Sequence, residues 1–117
     1  MSPPIPAVFF DRDDTLIHCR SVAPDGDLGN PALVRLMDGA SEACARLAEA
    51  GYILIVVSNQ GGVARGRYTE HEVGAVNQKI NELLRGGGGT IERFYYCPFH
   101  PRGVVPAYIK EHPWRKP

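Results

Sequence analysis

Two carboxylates, Asp11 and Asp13, stand two residues apart directly behind the apolar run Ala7-Val8-Phe9-Phe10. Residues i and i+2 share a face while a chain stays extended, so the pair can converge on one point. Convergent carboxylates suit a division of labour in which one attacks as a nucleophile and the other moves a proton. They also suit a hard cation such as Mg²⁺, which takes oxygen ligands. The plainer reading of Asp11-Arg12-Asp13-Asp14-Thr15 is a polar turn with a helix cap. Its place behind a buried strand favours chemistry.

A second polar segment, Ser58-Asn59-Gln60-Gly61-Gly62, follows another apolar run. A hydroxyl, two amides and N–H groups left open by glycine can cradle a phosphate. Alone the segment is equally a turn; beside the aspartates it becomes the second wall of an anion site. Arg65 and Arg67 come next, and a guanidinium can grip phosphate bidentately. Arg65 is the candidate, while Arg67 stays open between a ligand and a solvated loop charge. Trp114-Arg115-Lys116-Pro117 adds a basic pair that could neutralise a phosphoryl group, although by itself it reads as a frayed basic terminus.

These residues need a scaffold that brings them together. The run over residues 7–10 and the β-branched run over 52–57 (YILIVV) read as strands buried on both faces. Residues 14–37 show no sustained period and read as a long loop or flap. Ala40, Ala43, Cys44, Leu47 and Ala48 recur at helical spacing, and Gly51 stands where a helix end calls for positive φ. Thr69 with Glu72 is a capping box ahead of the stripe Val73, Val76, Ile80, Leu83 and Leu84, and the glycine run 86–89 ends that helix. Residues 91–97 (IERFYYC) form a third strand candidate. Strands alternating with amphipathic helices predict an α/β fold, a parallel sheet with helices on its faces. Ligands of such sheets sit at the carboxyl ends of the strands, where the polar segments fall.

Composition narrows the class. A chain of 117 residues with 44% apolar and 22% charged residues fits one soluble domain. With 13 basic and 13 acidic residues the net charge is zero, which speaks against a nucleic-acid partner. No apolar run approaches the roughly 20 residues a membrane span requires. The N-terminus does not read as a signal peptide, so a cytoplasmic location is expected, with no membrane partner. Cys19, Cys44 and Cys97 are few and irregularly spaced, which predicts reduced thiols.

The combination of Asp11-Arg12-Asp13-x-Thr15, Val57-Ser58-Asn59-Gln60, Ala64-Arg65-Gly66, Tyr95-Tyr96-Cys97-Pro98 and Arg115-Lys116-Pro117 resembles the haloacid dehalogenase (HAD) superfamily. Within it the chain looks most like the D-glycero-D-manno-heptose 1,7-bisphosphate 7-phosphatases, relatives of the histidinol-phosphate phosphatases. The resemblance implies a single Rossmann-like, HAD-type domain over residues 1–117, with a flap over about 17–37 that excludes water. It implies Asp11 as the nucleophile forming an aspartyl-phosphate and Asp13 as the proton shuttle. Ser58 would hold a phosphoryl oxygen and Lys116 would neutralise charge. Asn59, Gln60, Gly61, Arg65 and Arg115 would contact substrate. Mg²⁺ would bind the Asp11 carboxylate and the Asp13 main-chain carbonyl. The expected partner is a small phosphorylated metabolite of the heptose bisphosphate or histidinol phosphate kind. Oligomeric state is not readable.

Three departures from the family pattern bear on function. Asp14 replaces a usual glycine, a minor change because Asp tolerates positive φ better than most residues. The family's zinc loop, C-P-H-H followed by C-x-C, reads here as Cys97-Pro98-Phe99-His100 and His112-Pro113-Trp114. Tetrahedral zinc wants four N or S ligands; Cys97, His100 and His112 offer three at most, so zinc is not expected. Finally, the family carries an acidic motif beyond R-K-P that completes the Mg²⁺ site, which predicts that this fold is C-terminally incomplete, that Mg²⁺ binds weakly, and that the 117-residue chain alone hydrolyses phosphate esters poorly or not at all. A catalytically idle HAD-like domain that binds a phosphorylated ligand or a partner protein is the rival reading. A nucleic-acid 3′-phosphatase is a third, disfavoured by the neutral charge.

Overall fold

The computed structural model describes residues 4–116; residues 1–3 and Pro117, at the two ends of the expected domain, lie outside the described residues. Three parallel strands form the sheet: β1 (Ala7–Phe10), β2 (Ile53–Asn59) and β3 (Arg93–Cys97), in the order β1-β2-β3. Two helices connect them, α1 (Ala40–Glu49) and α2 (Glu70–Leu84). The α/β class with a parallel sheet and flanking helices is therefore present. Sequential strand order with right-handed crossovers lifts both helices to the same face of the sheet. That face carries Val8, Phe10, Leu54, Val56 and Phe94, which meet Ala40, Cys44, Val76, Ile80 and Leu84 in one core. Burying each of the larger aliphatic side chains stabilises the fold by about 2 kcal/mol.

The opposite face corrects one expectation. β1 is not buried on both sides: Phe9 is 65% exposed, as is much of Tyr95 across the sheet. Continuous apolar composition cannot tell a strand covered twice from an edge strand covered once, because both faces read apolar. Two strand limits also shift. β2 continues through Ser58 and Asn59, which pair with Tyr96 and Cys97, and β3 begins at Arg93. In α2 the stripe holds at Val73, Val76, Ile80 and Leu84, but Leu83 is exposed and the buried fifth position is polar, Asn77.

Local signals behave as their chemistry predicts. Thr69 Oγ1 accepts from the Glu72 N–H while Glu72 returns a bond to the Thr69 N–H. Gly51, just past α1, has φ 94°. The segment 14–37 is a loop with one 3-10 turn (Pro31–Leu33) and an antiparallel bridge between Ile17 and Leu36, yet it is no open lid: Leu16, Ile17, Cys19, Leu28 and Val34 are core residues. Its start is tied by Asp14, at φ 58°, whose Oδ1 accepts from the N–H groups of Cys19 and Arg20. Tyr68 wedges between this loop and the one after β2. A Cβ on Gly29 would lie 2.4 Å from the Tyr68 side chain, and one on Gly62 would lie 2.5 Å from it, so both positions require glycine. Among the described residues no helix is long and apolar enough to cross a membrane.

Candidate active site

The carboxyl ends of β1 and β2 bring Asp11, Asp13, Ser58 and Asn59 together, and the C-terminal segment returns to them. Lys116 Nζ donates to Asp11 Oδ1 at 2.8 Å and to the Val57 carbonyl at 2.9 Å. Asn59 fixes the main chain there: its Nδ2 donates to the Lys116 carbonyl and its Oδ1 accepts from the Lys116 N–H, each at 2.8 Å. The basic pair is thus anchored rather than a frayed terminus. The reason was invisible locally, since the clamp comes from a side chain 57 residues away. Asp11 Oδ1 also accepts from the Arg12 N–H, which leaves Oδ2 without a donor among the described residues.

Asp13 has different surroundings. Arg12, with no exposed surface, folds back so that Nε donates to Asp13 Oδ1 at 2.9 Å and Nη2 approaches Oδ2 at 3.5 Å. Its remaining bonds run to Asn77 Oδ1 (3.0 Å) on α2 and to Gln60 Oε1 (2.9 Å). Gln60 Nε2 donates to Asp13 Oδ2 at 3.2 Å and to Ser58 Oγ at 3.1 Å, while Tyr68 OH donates to Gln60 Oε1. No buried side-chain N or O atom among the described residues lacks a partner. Burial drives the Tyr68 phenol well above its usual range, keeping it a neutral donor to Gln60.

This geometry revises several expectations. Gln60 does not line an open cradle: it is 1% exposed and its amide faces protein groups. Arg65 does not point at a free anion site either, because Nε donates to Asp27 Oδ2 at 3.1 Å and Nη2 donates to Asp27 Oδ1, joining the flap to the loop after β2. Arg67 Nε lies 3.9 Å from the same carboxylate. Gly61 sits against the Arg65 guanidinium and the His100 ring. Arg115 lies 3.6 Å from Glu111 and 3.5 Å from His100 Nε2. Burial, then the charges of Arg115, Arg65 and Arg102, lower the His100 pKa, which marks a positive patch beside Gly61. Two contributors were missed in the sequence, Arg12 and Asn77. The signals available were an arginine between two aspartates behind a strand, and an asparagine inside an apolar helical stripe.

The candidate zinc ligands do not converge; among the described residues no group of three or more His, Cys, Asp or Glu is arranged to hold a metal ion. His112 Nδ1 accepts from the Trp114 N–H and His100 Nδ1 from the Arg102 N–H. Phe99 stacks on His112 at 4.7 Å, and His112 meets Trp114 edge-on at 5.0 Å. The three thiols are buried and free, and burial, with Asp13 and Asp14 nearby, pushes Cys19 up to about 11.

Comparison with known proteins finds phosphatases among the relatives of this chain. The family model described as polynucleotide kinase 3 phosphatase matches residues 6–117. The D-glycero-beta-D-manno-heptose-1,7-bisphosphate 7-phosphatase of Yersinia pestis is 32% identical over 117 residues, covering all of this chain and 60% of its own length. A crystal structure of a HAD-like phosphatase from Mesorhizobium loti superposes with TM-score 0.84 at 36% identity, over 98% of this chain and 53% of its own. The D,D-heptose 1.7-bisphosphate phosphatase of B. bronchiseptica, complexed with magnesium and phosphate, matches with TM-score 0.75 at 26% identity, over 84% of this chain and 52% of its own. The chain thus spans 60% of the Yersinia relative and about half of each structure.

Proposed function

Because the chain belongs to the polynucleotide kinase 3 phosphatase family and has a HAD-like phosphatase fold, we propose that it serves Mg²⁺-dependent hydrolysis of a phosphomonoester on a small sugar, of the heptose 1,7-bisphosphate type, through an aspartyl-phosphate. The observation that carries this reading is the Asp11–Lys116 contact at 2.8 Å, set between the strand ends beside Ser58. Asp11 Oδ2, free of donors, attacks phosphorus, and the bond from phosphorus to the sugar oxygen breaks. The leaving oxygen takes its proton from Asp13. In the second step Asp13 takes a proton from water, whose oxygen displaces the Asp11 carboxylate and releases inorganic phosphate. Lys116 Nζ and the Ser58 hydroxyl stabilise the charge on the phosphoryl oxygens.

The residues present offer Mg²⁺ two oxygen donors, part of the set such a cation takes. Three N–H groups of the turn converge on the Arg12 carbonyl, while the Asp13 carbonyl receives no donor among the described residues. That carbonyl and the Asp11 carboxylate are hard oxygen donors of the kind Mg²⁺ takes alongside water and substrate phosphate. When bound, the cation would neutralise charge on the transferring phosphoryl group.

The family description also names a polynucleotide 3′-phosphatase activity. The balance of 13 basic against 13 acidic residues favours the small sugar phosphate, since phosphate-backbone binding rests on basic excess. Beryllofluoride with Mg²⁺ tests the nucleophile: an adduct on Asp11 that disappears in Asp11→Asn is expected, and absence of an adduct in the unaltered chain would favour an idle ligand-binding domain. Phosphate release from heptose 1,7-bisphosphate, histidinol phosphate and a 3′-phosphorylated oligonucleotide ranks the substrate classes, with the heptose ester expected first.

A further inference from the structure

The amide of Gln60 is saturated. Oε1 accepts from Arg12 Nη2 at 2.9 Å and from Tyr68 OH at 2.6 Å, and Nε2 donates to Asp13 Oδ2 at 3.2 Å and to Ser58 Oγ at 3.1 Å. A primary amide offers two donor hydrogens and two acceptor lone pairs, so all four are used. Its partners also settle which end is nitrogen, because Arg12 can only donate. A buried group in this state has no hydrogen bond left for a phosphate.

We propose that Gln60, backed by Arg12, is a positioning residue: one amide fixes the Asp13 carboxylate and orients the Ser58 hydroxyl as a donor. Ser58 Oγ accepts from Gln60, so its own hydrogen must point elsewhere, and the phosphoryl site is where the strand end directs it. Asp13 is held at both oxygens, by Arg12 Nε at Oδ1 and by Gln60 at Oδ2. Arg12 in turn is braced by Asn77 of α2. The arrangement couples the proton shuttle on the β1 turn to the phosphate-holding hydroxyl on β2 through a single side chain. The catalytic part of this inference rests on the phosphatase reading; the geometric part does not.

The test uses the full chain and two variants. Gln60→Glu keeps acceptors for Arg12 and Tyr68 but removes both donors, so it preserves the buried ion pairing while releasing Asp13 and Ser58. Arg12→Lys cannot span Asp13 bidentately yet leaves the bond from Gln60 to Ser58. Three-bond side-chain couplings report χ1 at Asp13 and Ser58. The expected result is single-rotamer values at both residues in the unaltered chain, averaging at both in Gln60→Glu, and averaging at Asp13 alone in Arg12→Lys. Unchanged couplings in both folded variants would overturn the proposal. Turnover of p-nitrophenyl phosphate supplies the second readout: kcat should fall at least tenfold in Gln60→Glu with KM within threefold. A tenfold rise in KM at constant kcat would instead make Gln60 a substrate ligand. Little turnover is expected of this chain alone, so where the unaltered chain shows none, the couplings decide the proposal by themselves.

Discussion

Asn59 and Lys116 hold each other by two hydrogen bonds of 2.8 Å, side-chain amide to main-chain amide, in the pattern one strand uses to recruit another. Asn59 is the last residue of β2, so the sheet end that presents Ser58 also docks the segment that presents Lys116 to Asp11.

Asn59→Ala removes both bonds. At about 1 kcal/mol each, roughly 2 kcal/mol of docking is lost, and the docked population falls by up to about 30-fold. Turnover is expected to drop about tenfold or more towards that of Lys116→Met, with the unfolding midpoint little changed, because the clamp lies outside the core. Amide relaxation at Lys116 checks the cause: it should change from rigid to mobile. A rigid Lys116 in Asn59→Ala would contradict the clamp.

Asp14 gives a prediction about the flap. It holds φ 58° and caps the N–H groups of Cys19 and Arg20 with Oδ1. Asp14→Ala keeps the left-handed backbone, costly by about 1–2 kcal/mol for an L-residue, and loses the capping bonds. Asp14→Gly loses the same bonds but relaxes the backbone. Urea unfolding should therefore place Ala about 2 kcal/mol below the unaltered chain and Gly about 1 kcal/mol below it. Equal losses would mean that the capping bonds alone matter.

The fold and the candidate site differ in how much the sequence disclosed. β1, α1, α2 and the Thr69 capping box were readable because each depends on residues within a turn or two of one another. Asp11, Asp13 and Ser58 were legible as neighbours because a parallel sheet gathers strand ends at one edge. Gln60 and Arg65 were not: their residue types fit a phosphate, but Asp27, Tyr68 and Arg12, distant or unremarked in the chain, claim their polar atoms. The exposed side of β1 was equally hidden, since hydrophobicity records what a face is made of and not what covers it.

Alkaline stability depends on raised pKa values, among them those of Cys19 and Tyr96. Burial raises Cys19 from 9.0 to about 11. Burial, then its hydrogen bond to Glu70, raises Tyr96 from 10.0 to about 12. A raised pKa means the folded state binds the proton more tightly, so the contribution is complete below the unfolded value and lost as pH rises through the folded one. Stability should fall between pH 9 and 11 on account of Cys19 and between 10 and 12 on account of Tyr96. Urea midpoints measured from pH 8 to 12 should show Cys19→Ala flattening the lower part of this decline and Tyr96→Phe the upper part. A decline unaltered in both variants would locate it elsewhere.

The segment that delivers Arg115 and Lys116 is braced by aromatic contacts at the positions weighed as zinc ligands from the sequence. Phe99 stacks on His112, His112 meets Trp114, Tyr108 lies 5.9 Å from Phe99, and Lys110 Nζ sits 4.1 Å from the Phe99 ring centre. Aromatic pairs contribute about 0.5–1.5 kcal/mol beyond their buried area. A double-mutant cycle of Phe99→Ala and His112→Ala should give a coupling in that range. It should also lower turnover through loss of Lys116 docking, which the Lys116 amide reports independently. Because stacking needs no metal, 1,10-phenanthroline should leave the melting temperature unchanged, whereas a zinc-pinned loop would be destabilised by the chelator. A stoichiometric zinc in the purified chain, with no coupling between Phe99 and His112, would transfer the bracing from the rings to the metal.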